Sequence, residues 1–353
     1  MGSGDPSVRE TVAGPLERDA DFDEAVDSDG PVVIRGRSFS RSEILASDVV
    51  AYREALEEYR EEQLAELLEA GTERFPHPIA HCLYRYLYSA QTENQRLQFL
   101  KDTWESFIAV VFALAVAEVR SHGARVPVAS GKARDVRAYI HSRNIRDRLE
   151  VLRTTVDVVP DLPILQSLVD AETIANMIAL NQRRNEELAH VGTLNERQST
   201  SLILDVEPEV LAIFRKARAL ENADIARYLG PAPQRGLHKL EVFRGHSSSR
   251  RIEVRPLPSS QAALLGQYSP TDVLAICGDR VLALSPVIVW REGRGHRSEL
   301  AFMKKKRVDG TRAVFTFEVF GDAEEFESDV PELQQDLDAI KRLYDATNEE
   351  QRP

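Results

Sequence analysis

The stretch from Thr92 to Ser121 constrains this chain most. Leu97, Leu100, Trp104, Phe107, Ile108, Val111, Leu114 and Ala115 recur at helical spacing. From Phe107 to Ala117 the chain is apolar on nearly every side of such a helix. A helix with one apolar stripe lies on a surface, whereas one that is apolar all round has to be enclosed by other elements. The run therefore predicts the central helix of a bundle. At about 11 residues between charged flanks it is too short to cross a bilayer, which takes about 20.

Other helical segments flank it. Ser40 or Ser42 can cap a helix over Glu43–Ala70, with Glu57, Glu58, Glu61, Glu62, Glu66 and Glu69 on a wet face and Leu64, Leu67 and Leu68 on a packed one. Phe75-Pro76-His77-Pro78 breaks the chain, and a helix is expected from Ile79 to Ser89. Further helices are expected over Arg134–Val156, Leu165–Ala189, Glu196–Leu204 and Pro208–Tyr228. Short loops between them make a bundle.

The pattern changes at Gly230-Pro231-Ala232-Pro233. Short runs such as Leu240–Phe243, Arg251–Val254, Val273–Ile276, Val281–Leu284, Val287–Trp290, Glu299–Met303 and Ala313–Phe320 then read as strands, with Gly278-Asp279 as a turn. The predicted class is α+β, a mainly α-helical bundle followed by a smaller antiparallel β-rich domain. The expected division is an acidic, disordered extension over 1–38, a helical domain over 39–230, a β-rich domain over 231–330 and a C-terminal helix over 331–353.

The net charge of −12 argues against a protein that simply coats nucleic acid, because such proteins neutralise phosphates with a basic surface. Of 45 basic residues only eight are lysine. The arginine excess fits a GC-rich coding bias, and arginine forks would also suit phosphate. Cys82 and Cys277 sit in apolar stretches and read as buried free thiols of a reducing compartment. The acidic N-terminus has no apolar signal core, so the expected location is the cytoplasm. There is no Walker loop, no dinucleotide glycine loop, no HExxH helix and no GxSxG elbow, so no cofactor and no metal are expected. His77 and His81 are four apart, but Pro78 between them speaks against a shared helical metal face.

One segment carries chemistry: Asn181-Gln182-Arg183-Arg184-Asn185-Glu186-Glu187-Leu188-Ala189-His190-Val191-Gly192. Arg184 and His190 bracket five residues, and Arg183 and His190 bracket six. Similar spacings occur at Arg74–His81, Arg134–His141 and Arg291–His296, but none of those has Asn after the arginine within a long helical segment. Arg134–His141 comes closest, because it also lies near a helix. On a regular helix Arg184 and His190 lie about 120° apart and Arg183 and His190 nearly coincide. Arg184 is ranked first because Asn185 follows it, with Arg183 as the alternative arginine.

The Arg-Asn-x4-His pattern, the small residue before the histidine, and the order of long apolar helix, motif helix and glycine break together resemble the HEPN domain family over about residues 75–230. The resemblance implies a metal-independent endoribonuclease effector of the kind found in bacterial antiphage defence and toxin systems. It implies Arg184, Asn185 and His190 as catalytic residues, RNA such as tRNA as substrate, a homodimer through the bundle, and a regulatory protein partner. The other reading is a non-catalytic HEPN-like dimerisation, sensor or adaptor subunit of a defence complex.

These residue types suit that chemistry. RNA carries its own nucleophile, the 2′-OH. Histidine transfers protons near neutrality, and arginine holds a permanent charge against the pentacovalent phosphate. Asn185 can orient the histidine or donate to a phosphate oxygen. Two basic groups could guide RNA: Arg143, Arg146, Arg148 and Arg153 on one helix, and the run from Lys304 and Lys305 to Lys306 and Arg307 at a strand end. A solvated helical face and a turn tip are the plainer readings of the two.

Overall fold

The computed structural model describes residues 32–34, 37–39, 65–142, 144–187, 194–247, 249, 251–293, 296–321 and 324–346, with backbone alone at 32–34, 37–39, 184–187 and 346. The chain divides into two compact units, Met1–Glu66 and Leu67–Pro353. In the first, β1 (Val32–Ile34) and β2 (Arg37–Phe39) form an antiparallel hairpin with Val32 opposite Phe39. This hairpin falls largely within the stretch 1–38 that was expected to be disordered. The rest of the predicted 1–38 extension, and the predicted helix up to residue 64, lie outside the described residues.

The second unit is built round α3 (Glu93–His122). Thr92 caps its start by accepting from the Gln95 N–H at 3.2 Å, and Gly123 ends it at φ +60°, where a side chain would be strained. Every residue from Ser106 to Val119 is buried, which is what an apolar run on all sides demands. Around α3 pack α2 (His77–Tyr84), α5 (Ile145–Val158), α6 (Pro163–Leu168), α8 (Glu196–Lys216) and α10 (Pro331–Leu343). Helical residues 67–74 form α1, a π-helical turn over Arg85–Ser89 extends α2, and α4 (Ser130–Tyr139) and α7 (Ala171–Glu187) complete this side. Each large apolar side chain fully buried here contributes roughly 1.5–3 kcal/mol, so α3 is a large contributor to the core of the unit.

Buried polar groups on α3 hold neighbours in place. The Glu118 carboxylate is fully buried and accepts from the Ile164 and Leu165 N–H groups at 2.9 and 2.7 Å, capping α6, which has no capping side chain of its own. Cys82 on α2 lies 3.4 Å from the Ser106 hydroxyl.

Two antiparallel sheets follow. One has five strands in the order β6-β5-β4-β7-β8, built from β4 (Ala223–Pro231), β5 (Leu237–Phe243), β6 (Ile252–Pro256), β7 (Leu274–Cys277) and β8 (Arg280–Ala283). Alternation splits its side chains. Ile225, Phe243, Ala275 and Leu282 join the helical core, while Ala226, Leu240, Leu274 and Ile276 form a smaller core with Leu265 of α9 (Ser259–Leu265). The other sheet has the order β12-β11-β10-β9, from β9 (Ile288–Glu292), β10 (Ser298–Asp309), β11 (Arg312–Val319) and β12 (Glu325–Ser328). Phe302, Phe315 and Phe317 of that sheet also enter the helical core. A buried ion pair, Arg227 Nη1 to Glu241 Oε2 at 2.7 Å, joins β4 to β5, and the Arg227 guanidinium lies 3.4 Å from the Trp290 ring centre on β9.

The class is α+β with antiparallel sheets, as expected. Several details differ, and the helices expected over 134–156 and 165–189 are each two helices. The first strand of the larger sheet begins at Ala223, inside the segment read as helix to Tyr228, because Ala223 and Ile225 alternate with Ala226 and Tyr228 between two cores. Helix α8 runs unbroken through Pro208; the proline withholds one backbone donor, and Leu204, four residues earlier, is exposed. The C-terminal helix is followed by β13 (Tyr344–Ala346), which pairs in parallel with β3 (Val126–Val128). Tyr344 is fully buried, its hydroxyl 3.1 Å from that of Thr155 on α5. None of the described helices is long and apolar enough to cross a membrane.

Candidate functional site

The Arg-Asn-x4-His segment begins within α7. Ile174, Met177, Leu180 and Asn181 form the buried face of this helix. Its neighbour α8 runs antiparallel, since Glu172 pairs with Lys216 at 3.7 Å and Arg183 Nη1 with Glu209 Oε1 at 2.7 Å. The backbone is helical through Glu187, which puts Arg184 and Asn185 in the last described turn. The side chains of Arg184 and Asn185, and the whole of His190, lie outside the described residues. Of the expected catalytic residues and the alternative arginine, only Arg183 has a described side chain, and it faces a carboxylate on α8.

The residues expected to guide RNA are scattered. Arg143 lies outside the described residues. Arg146 is exposed in the first turn of α5, in a hollow where Lys132 and Arg153 stand among Asp135, Asp147 and Glu150. Arg148 is buried and not available to a polymer. Two residues along a helix is about 200°, so Arg146 and Arg148 face opposite ways. Lys304 pairs with Glu318 on β11, and Lys305 is exposed. The lysine run lies within β10 and not at its tip; a bulge between Met303 and Lys305 interrupts the alternation, as β-bulges do when they re-aim a side chain.

Arg148 and Lys304 instead line a half-open cavity of about 410 Å³, with Arg85 and with the carboxylates of Asp102, Glu105 and Glu318. The Arg148 guanidinium donates to the Met303 carbonyl at 3.0 Å and lies 4.0 Å from the Phe302 ring centre. Burial lowers its pKa to about 9, partly offset by Glu105 and Glu318. Burial raises the Asp102 carboxyl, against a hydrogen bond from Gln98. Arg85 donates to the Gly321 carbonyl at 2.8 Å. Burial also lifts the Cys82 thiol to about 11, so it is no nucleophile at neutral pH. The cavity is polar and charge-balanced.

His77 and His81 do share a helix. Pro78 stands in the first turn, where no backbone donor is needed, so α2 starts at His77 and not at Ile79. The rings are 5.4 Å apart, and each Nδ1 donates to a backbone carbonyl, Gly245 at 2.8 Å and His246 at 3.2 Å. Burial, the largest influence, lowers His77 to about 4. No group of three or more metal-ligating side chains occurs among the described residues.

A second hollow, of about 480 Å³, opens between α4 and α10. Ser130, Arg134, Arg137 and His141 line it from one side, and Lys341 and Asp345 from the other. In the sequence the Arg134–His141 spacing is its only local signal, and Lys341 comes from the far end of the chain.

No protein-family model matches the chain, and no curated protein or solved structure matches it significantly.

Proposed function

We propose that this protein is a metal-independent endoribonuclease of the HEPN type, acting as an effector in a defence or toxin system. The observation that carries the reading is the place of the Arg-Asn pair. Helix α7 has helical backbone through Glu187, so Arg184 and Asn185 lie in its last described turn, and His190 follows three residues later in the sequence. Arg183, the alternative arginine, pairs with Glu209 at 2.7 Å, which favours Arg184 as the catalytic arginine.

In this reading the RNA 2′-oxygen attacks the adjacent phosphorus. The O2′–P bond forms and the P–O5′ bond breaks. His190 serves the proton transfer, removed from the 2′-OH and supplied to the 5′-oxygen, and Arg184 neutralises the phosphorane. The products are a 2′,3′-cyclic phosphate and a 5′-OH. DNA lacks the nucleophile and is not cut.

The test is cleavage of total tRNA and a mixed-sequence RNA in EDTA, comparing wild type with His190→Ala and Arg184→Ala. The expected result is cleavage by wild type with cyclic phosphate ends, lost in both variants, while Arg183→Ala keeps most activity. A second reading, a non-catalytic dimerising adaptor, is favoured by the net charge of −12. Intact RNA with purified wild type and in cells expressing it would decide for that adaptor.

A further inference from the structure

We infer that the hollow between α4 and α10 is a phosphate-binding site. Its lining gathers more cations than carboxylates: Arg134, Arg137 and Lys341 stand there with Asp345, and Asp338 lies near enough to Lys341 to offset part of its charge. Arg134 and Lys341 line it, and Lys306 on β10 is close enough to influence both His141 and Lys341. Among the described residues, none of these three cations has an ion pair or a side-chain hydrogen bond. The one carboxylate in the lining, Asp345, is already held by Arg137, whose Nη2 donates to it at 2.5 Å while Nε donates to the Tyr344 carbonyl at 2.6 Å.

This grouping is unfavourable by itself. Burial and the neighbouring Lys306 lower the pKa of the Lys341 amine, against a smaller opposing influence of the Asp338 carboxylate. Burial, then Lys341 and Lys306, hold the His141 imidazole down to about 4, so it is neutral at physiological pH. A chain with 57 acidic residues has ample carboxylates to answer such a cluster, and it does so elsewhere. In the hollow beside α5, Lys132, Arg146 and Arg153 stand among three carboxylates. Between α4 and α10 Asp345 holds Arg137 and Asp338 offsets part of Lys341, which leaves Arg134 and Lys306 without an ion pair among the described residues.

The shape and the remaining donors fit phosphate. The hollow has room for a phosphate or a nucleotide. Arg134 offers a planar fork and Lys341 a point charge, the two forms in which proteins hold phosphate oxygens. Ser130 begins α4, whose start has no side-chain cap, so its first N–H groups add to the field. The ligand is a phosphate group, carried either by a small nucleotide-like molecule or by an RNA backbone. This inference does not rest on the nuclease reading, and Arg184 and His190 take no part in it.

The test is binding of a fluorescein-labelled, 2′-O-methylated RNA oligomer and of inorganic pyrophosphate to the full chain at about 50 mM salt. The modified RNA has no nucleophile, so binding is read without cleavage, and a failure here leaves the cleavage assay to stand or fall alone. The expected result is that wild type binds at least one probe and that Arg134→Gln with Lys341→Gln weakens it at least tenfold. Arg312→Gln, an exposed arginine paired with Asp329, should bind as wild type does. Thermal melting checks that the double variant is folded, and the second readout is salt dependence. For RNA, the slope of log affinity against log salt should shrink by about 0.7 for each phosphate that the variant no longer neutralises. Binding of RNA alone identifies a polymer site, and binding of pyrophosphate as well identifies a small phosphate site. Absence of binding to both probes, or equal binding by the folded double variant, overturns the inference.

Discussion

The cavity around Arg148 and the hollow around Arg134 both gather arginine and lysine, yet they resolve that charge in opposite ways. Round Arg148 the cations Arg85 and Lys304 meet Asp102, Glu105 and Glu318, and backbone carbonyls of Met303 and Gly321 take the donors. Round Arg134 a single carboxylate serves the lining and is held by Arg137. A buried charge must be answered from within the fold, because water cannot reach it. An open one can wait for solvent or a ligand. The first arrangement supports the structure, and the second is available for binding.

The largest expected difference between the two is in stability. Arg148→Ala removes a buried hydrogen bond and the packing against Phe302 and leaves a void, and should lower unfolding free energy by about 2–4 kcal/mol. Arg134→Ala should change it by less than about 0.5 kcal/mol. Urea unfolding of both variants measures this, and equal losses would erase the distinction.

The next difference is in pH response. His77 and His141 titrate near 4 in the folded protein, against an ordinary value of 6.5. Between those values the unfolded chain binds protons that the folded one refuses, so stability falls as pH drops from 6.5 towards 4. A phosphate in the hollow would offset Lys341 and Lys306 and raise His141 while leaving His77 in place. Histidine NMR titrations with and without pyrophosphate would show that separation, and a His141 that does not move with pyrophosphate bound would place the ligand elsewhere.

The smallest expected effect is chemical. The Cys82 thiol is buried and raised to about 11, so iodoacetamide at neutral pH should label it slowly in the folded protein and quickly after unfolding. Fast labelling of the native state would mean that reagent reaches Cys82 through the Arg148 cavity.

Local patterning carries far in this chain. Apolar residues on all sides of 107–117 mean enclosure, and Ser106–Val119 is enclosed. The β-like runs after Gly230 form strands. Sequence and structure part where two periods compete or where a partner is remote. Residues 223–228 satisfy a helical reading until the second core under α9 is known. Proximity in sequence groups Arg148 with Arg146, although the helix turns them to opposite sides. The Arg-Asn-x4-His segment is legible as a pattern, and the structure adds the helical backbone of 184–187 and the Arg183–Glu209 pair.

By itself, then, the sequence determined most of the element types, the central helix, the α+β class and the Arg-Asn-x4-His pattern. These depend on repeats within a few residues, where backbone geometry fixes which side chains share a face. Only the tertiary structure decided that Arg148 is an interior group and that Lys341 stands in the same hollow as Arg134. Those facts depend on which surfaces α5, α10 and β10 turn toward one another. Packing around α3 sets that orientation, and no local period encodes it.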